Sequence, residues 1–305
     1  MTDPMLVVRA DATPVTGAGH AMRCLNVVEC WLEAGYGGAV VAGEIRLSFV
    51  AQRLGELGIA IRPARPLPHG SLLLVDSYDA SCRRECAAAR GFRARVLVDD
   101  QGGDLVPGYD AVWNPNAFGD RRLYPDFDGV VLTGADSVPI RARLPRWTGG
   151  GAGAIGVAVG GSRLPAPIRA AFVRLARREP GPRFCGSGDW VPDGWIRTDP
   201  TNPWSRLAEC DAVVVGAGIS LWEAAAVGVP CVVMRLADNQ DRGAEWARSA
   251  GCPVVDAETC NDADGLADAL AAALPRARPL PEVRNSSDRV ARWLRALSDG
   301  PPHAL

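Results

Sequence analysis

Gly17-Ala18-Gly19-His20-Ala21-Met22-Arg23-Cys24 sets a glycine turn and a histidine at the point where a short apolar strand, residues 5–9, gives way to a helix. The helix reads as residues 20–34, with Ala21, Cys24, Leu25, Val28, Trp31 and Leu32 at the three-and-four spacing of a half-buried face. His20 therefore falls in the first helical turn, where unpaired amides and the helix dipole disfavour added positive charge. A neutral imidazole held there can accept a proton. The same spacing also fits a histidine that only caps or packs a helix start. A second glycine turn, Gly216-Ala217-Gly218-Ile219-Ser220-Leu221-Trp222-Glu223, feeds another helix. Its glycines allow a phosphate close to the backbone, and the amides around 218–221 supply donors. Ser220 and Glu223 fit a capping box; equally, the Glu223 carboxylate can accept from two ribose hydroxyls. Asn239-Gln240 offers amides that bond a sugar hydroxyl or phosphate without bringing charge, or else a plain helix cap. Asp99-Asp100, followed by Gln101-Gly102-Gly103, reads as a turn in preference to a metal-binding carboxylate pair, and Asn114-Pro115-Asn116 as another turn.

The elements that position these residues alternate. Strands are expected at 5–9, 39–42, 59–61, 72–76, 96–98, 111–113 and 130–132, with helices at 20–34, 47–57 and 80–89 between them. After 136–153, a Pro-, Arg- and Gly-rich stretch containing Gly149-Gly150-Gly151 and read as a connector, strands at 154–159, 183–185, 212–215, 231–234 and 253–255 alternate with helices at 166–177, 221–226 and 242–250. Such alternation specifies the α/β class, with two doubly wound, Rossmann-like domains facing a cleft, spanning 1–140 and 152–284. The segment 285–305 carries an amphipathic helix, 287–297, that either packs back on the first domain or stands as an ordinary terminal helix. Ligands of such sheets bind beyond the carboxyl ends of the strands. That rule selects Asp76-Ser77-Tyr78-Asp79, Asp99-Asp100, Gly160-Gly161-Ser162 and Gly216–Ser220.

Composition narrows the chemistry. The 305 residues carry a formal charge of −2, so no global basic field exists to hold nucleic acid. Hydrophobic residues make up 48%, yet no apolar run reaches the roughly 18 residues that span a bilayer. No signal sequence is evident, and a cytoplasmic location is expected. All 33 basic residues are arginine. This excludes a Walker-A lysine, a Schiff-base lysine and a lysine general base. Nine cysteines without a C-x-x-C pair read as reduced packing residues, and three histidines are too few for a histidine-rich metal cluster. No metal and no cofactor are expected.

In order along the chain, Arg9-Ala10-Asp11, Gly17-x-Gly-His-x-Met-Arg-Cys24, Asp76-x-Tyr78, Asp99-Asp100, Asn114-x-Asn116, Gly160-Gly161-Ser162, Gly216-Ala217-Gly218, Glu223, Gly228-x-Pro230 and Asn239-Gln240 resemble the nucleotide-sugar hydrolases of the pseudaminic acid pathway. That family cleaves UDP-2,4-diacetamido-2,4,6-trideoxy-β-L-altropyranose. The resemblance implies a GT-B-type fold similar to the enzyme that adds N-acetylglucosamine to the lipid-linked cell-wall precursor, with the sugar and the catalytic base in the first domain and UDP in the second. It implies that His20 activates water for attack at the anomeric carbon, expelling UDP, while Tyr78 and Asn239 flank the sugar and phosphate. Gly17, Gly19, Arg23, Gly161, Ser162, Gly218, Ile219, Ser220, Glu223 and Gln240 would contact the substrate. The chain departs from the family at Gly160-Gly161-Ser162-Arg163-Leu164, where the family has Gly-Gly-Ser-Asp-Pro. It also lacks the family's tyrosine and leucine-arginine pattern across 134–143. The expected activity is hydrolysis of a UDP-sugar, with a glycosyltransferase using a small acceptor as the first alternative and a non-catalytic nucleotide-sugar-binding protein as the second. The expected partner is the nucleotide-sugar, with no nucleic acid and no membrane.

Overall fold

The computed structural model describes residues 3–103, 105–151, 153–160, 164–178, 183–188, 190–260 and 262–299. They fall into two compact units, 3–142 with 284–299, and 143–283. The first unit begins with strands β1 (Met5–Ala10), β2 (Gly38–Ala42), β3 (Ala60–Arg62), β4 (Leu72–Asp76), β5 (Ala94–Val98), β6 (Ala111–Trp113) and β7 (Val130–Leu132). All pair in parallel, in the order β3-β2-β1-β4-β5-β6-β7. The chain thus builds outward from β1 and then reverses, laying β4 against the other edge of β1 with Ala10 opposite Asp76.

Helices α1 (Gly19–Glu33), α2 (Ser48–Glu56) and α3 (Ala80–Ala87) connect the strands. Because helices cover both faces, the strands are apolar throughout: Leu6, Val8, Leu72, Leu74, Val96 and Val98 pack with α1, while Val7, Leu73, Val75 and Leu97 pack with Cys86 and Ala87 of α3. The turn that enters α1 is tight. The Gly17 amide donates to the Thr13 carbonyl at 2.8 Å, and Gly17 sits at φ +74°, which only glycine adopts without strain.

The second unit contains β8 (Ala154–Ala158), β9 (Arg183–Gly186), β10 (Ile196–Arg197), β11 (Ala212–Gly216), β12 (Cys231–Arg235) and β13 (Val254–Asp256), again all parallel, in the order β10-β9-β8-β11-β12-β13. Here the reversal lies between β8 and β11. Helices α4 (Ala166–Arg178), α5 (Trp204–Leu207), α6 (Ile219–Val227), α7 (Asp241–Ser249) and α8 (Ala263–Ala273) complete it. Phe172 and Leu175 of α4 meet Leu266 and Leu270 of α8 over Val157, Val214 and Val232. Three of these elements, β10, α5 and α8, have no counterpart in the sequence reading. The alanine-rich α8 hides its apolar stripe, although Asp262 caps it by accepting from the Gly265 amide at 2.8 Å.

Helix α9 (Ser287–Asp299) returns to the first unit. Val290, Ala291, Leu294 and Leu297 are buried in the same core as Leu25 and Val28 of α1. It therefore covers a second face of α1, on which Met22 and Val27 are buried beyond the stripe read from the sequence, five of whose six residues are buried and the sixth, Leu32, partly so. The 136–153 stretch is not a free connector. Val138 and Ile140 are buried in the first unit, and Trp147 is fixed to the second by hydrogen bonds to the Val227 and Cys210 carbonyls at 2.9 and 3.0 Å. The described residues include no helix long and apolar enough to cross a membrane.

Candidate active site

In the first unit the reversal point collects the chemistry. β4 ends at Asp76, α1 begins beside it, and the imidazole Nδ1 of His20 lies 2.5 Å from Asp76 Oδ1. A contact that short to a carboxylate requires a proton between the two atoms. Burial pushes the Asp76 carboxyl up, but the charges of Arg23 and of His20 when protonated, together with hydrogen bonds from both, outweigh it and hold the group well below the usual carboxylate range. The shared proton therefore belongs to Nδ1, and in the neutral ring Nε2 is the nitrogen with the lone pair. Asp76 is 1% exposed, so this fixes the ring tautomer from inside the fold.

Arg23, one turn along α1, donates from Nε and Nη2 to Asp76 at 2.5 and 2.7 Å and from Nη1 to Asp100 Oδ2 at 2.9 Å. Its Nη2 also approaches His20 Nδ1 at 3.3 Å, a contact between two donors once Nδ1 carries the proton. The Tyr78 hydroxyl donates to the same Asp100 oxygen at 2.6 Å, and its ring stands edge-on to His20 with centroids 4.6 Å apart. Burial raises the Asp100 carboxyl; Arg23 and the Tyr78 hydrogen bond more than offset this and leave it below its usual range. Gly19 opens α1 with empty space where a side chain would project, while Gly17 serves the turn. Arg23, expected to touch substrate, pairs with two carboxylates and is 11% exposed in its side chain. Asp99 keeps the turn role, accepting from the Gly102 amide at 2.7 Å and pairing with Arg83 at 3.0 Å. Asp100 does not. It joins the His20 constellation, and together with Asp76 it is what the motif reading failed to connect.

In the second unit the loop after β11 places Gly218, Ile219 and Ser220, all partly exposed, at the start of α6. Gly218 is the N-cap, and an added Cβ there would meet nothing within 4 Å, so the backbone is open to approach. The capping box does not form. Ser220 lies inside the helix, one residue beyond its first, and Glu223 is buried, its Oε2 accepting from the Trp204 indole at 2.7 Å. Asn239 is exposed on the turn before α7, and the neighbouring Gln240 accepts from the Leu236 amide through Oε1 at 2.9 Å. Neither side chain caps α7. Gly161 and Ser162 lie outside the described residues. Among the described residues no three His, Cys, Asp or Glu side chains form a metal-binding group, and the nine cysteines are free thiols.

Two all-parallel α/β units, each with its chain reversal beside the strand that opens it, define a GT-B-type fold. Among solved structures, the chain is similar to spinosyn rhamnosyltransferase SpnG complexed with thymidine diphosphate, at 17% identity and a TM-score of 0.55 over 98% of this chain and 97% of that one. It is also similar to the UDP-GlcNAc 2-epimerase of Neisseria meningitidis bound to UDP-GlcNAc, at 12% identity and a TM-score of 0.61 over 95% and 99%. The S. aureus MnaA–UDP structure aligns at 12% identity and a TM-score of 0.62 over 98% and 99%. At these identities the likeness establishes the fold. No known family and no curated protein matches the chain in sequence, so the resemblance to the pseudaminic acid hydrolases rests on the ordered residues alone.

Proposed function

We propose that this chain hydrolyses a nucleotide-sugar, most simply a UDP-sugar, at its anomeric carbon. The observation that carries this reading is the Asp76–His20 pair at the chain reversal of the first unit. With Nδ1 holding its proton toward Asp76, Nε2 takes a proton from water as the water oxygen bonds the anomeric carbon. The bond between that carbon and the phosphate oxygen breaks, and its electron pair leaves with the nucleoside diphosphate. Asp76 stabilises the imidazolium that results, the same division of labour as between the aspartate and histidine of a serine-protease triad. Tyr78 flanks the sugar with its ring, since its hydroxyl proton is directed at Asp100. The second unit is assigned the nucleotide: the amides at the start of α6 meet the charge on the leaving phosphate, Glu223 accepts from the ribose hydroxyls, and Asn239 and the amide nitrogen of Gln240 face the phosphate or sugar.

Transfer to an acceptor alcohol is the second reading, supported by the rhamnosyltransferase among the structural neighbours; there His20 would deprotonate the acceptor in place of water. One experiment separates the two. UDP-, CDP- and TDP-sugars are incubated with the protein in heavy-oxygen water, and the position of the label is read. Hydrolysis places it in the anomeric hydroxyl of the free sugar. Label on the released phosphate means attack at phosphorus and overturns the proposal, and a product formed only with added alcohol establishes transfer. His20→Asn is expected to lower kcat by on the order of a hundredfold or more with little change in nucleotide affinity.

A further inference from the structure

The side chains behind His20 form a continuous chain of charge. Asp76, Arg23 and Asp100 come from the end of β4, from α1 and from the loop after β5, and all three are almost wholly withdrawn from solvent, with side-chain exposures of 1%, 11% and 10%. One guanidinium grips both carboxylates, and one oxygen of Asp100 receives both Arg23 and the Tyr78 hydroxyl. Tyr78 is itself 41% exposed, so packing alone does not hold its ring edge-on to the imidazole.

We infer that Arg23 and Asp100 are positioning residues, forming a carboxylate–guanidinium–carboxylate bridge that locks the His20 ring and the Tyr78 ring into one fixed register. The planar fork of arginine suits this task because it places donors at set angles to two carboxylates, which the point charge of a lysine does not do. The charge balance supports the same assignment. Two carboxylates against one guanidinium leave the bridge with a single net negative charge while His20 is neutral, and the proton that His20 accepts neutralises it. In so buried a site that compensation is screened less by water than it would be at the surface.

This inference rests on the proposed role of His20, and its test is chosen to read separately from that role. The variants are Arg23→Lys, Asp100→Asn, Tyr78→Phe and the Asp100→Asn/Tyr78→Phe double. A positioning role predicts that Arg23→Lys lowers kcat tenfold or more with KM within about twofold, whereas a substrate contact predicts a raised KM at unchanged kcat. Asp100→Asn takes the charge from the same link that Tyr78→Phe removes, so the double variant is expected to lose no more activity than the worse single one. The structural readout is the imidazole resonances of His20 in 15N-histidine-labelled protein, tractable because the chain has three histidines. Asp100→Asn should shift them, and adding Tyr78→Phe should shift them little further. Multiplicative losses, or a His20 spectrum indifferent to Asp100→Asn, overturn the bridge. If Arg23→Lys fails to fold, the Asp100 and Tyr78 variants still decide. A fully active His20→Asn protein overturns the proposed function instead, and the spectra then judge the bridge without reference to turnover.

Discussion

His20 takes its chemical identity from Asp76, 56 residues away in sequence. The helix start supplies the ring's location, but the buried carboxylate selects which nitrogen bears the proton. Asp76→Asn preserves the shape while allowing the amide nitrogen to turn its donors on the ring, which favours the wrong tautomer. We expect it to lower kcat on the order of a hundredfold or more, with nucleotide affinity unchanged by calorimetry. The same carboxylates set an acid limit on the first unit. Asp76 and Asp100 are held below their ordinary value of 3.8, so they bind protons less readily folded than unfolded. Their contribution is complete above that value and is shed as pH falls beneath it. Urea midpoints measured from neutral pH down to pH 2.5 should decline most steeply below about pH 4. The decline should be shallower for Asp76→Asn, and parallel profiles would contradict the assignment. At this scale the sequence revealed the half of the site that is local. Gly17, Gly19 and His20 announce themselves as a turn and a helix start, whereas nothing in the spacing of Asp76 and Asp100 distinguishes a partner of Arg23 from an ordinary strand-end aspartate, because sheet order decides which loops meet.

Helix α6 shows how an element's boundary changes the meaning of its residues. Ser220 and Glu223, three positions apart, match a capping box only if Ser220 is the cap; in fact Gly218 is the cap, and the register carries Glu223 to the buried face against Trp204. Trp204 belongs to α5, a short helix that proline-flanked sequence concealed. If Glu223 meets the ribose, Trp204→Phe should misdirect its carboxylate and weaken nucleoside diphosphate binding about tenfold, and Glu223→Gln should do the same. Unchanged binding with only a lower melting temperature would make the pair purely structural. Most strands and the longer helices were legible because continuous apolar runs and three-and-four spacing survive in the sequence. Helix α8 was not, since alanine fills both its exposed and its buried positions and blurs the periodicity.

Across the whole molecule, the two sheets repeat one plan, and each puts its suggestive loops where the chain reverses. The plan was readable from strand and helix alternation; the destination of α9 was not, because an amphipathic stripe does not name the surface it covers. Leu294 is fully buried in the core shared with α1. Leu294→Ala should therefore cost the first unit roughly 2–5 kcal/mol. Binding of nucleoside diphosphate, assigned to the second unit, should persist, and a loss of binding in the still-folded variant would refute that division. The return of α9 also orders events during synthesis. Domains ordinarily form as they emerge, the earlier one first. Here residues 143–283 are made before 287–299 exist, so the second unit can consolidate while the helix bearing His20 still lacks one of its walls. If the second unit holds the nucleotide and His20 is the base, as proposed, a chain cut short after residue 286 would grip a nucleotide without turning it over, the base being armed only by the last helix to arrive.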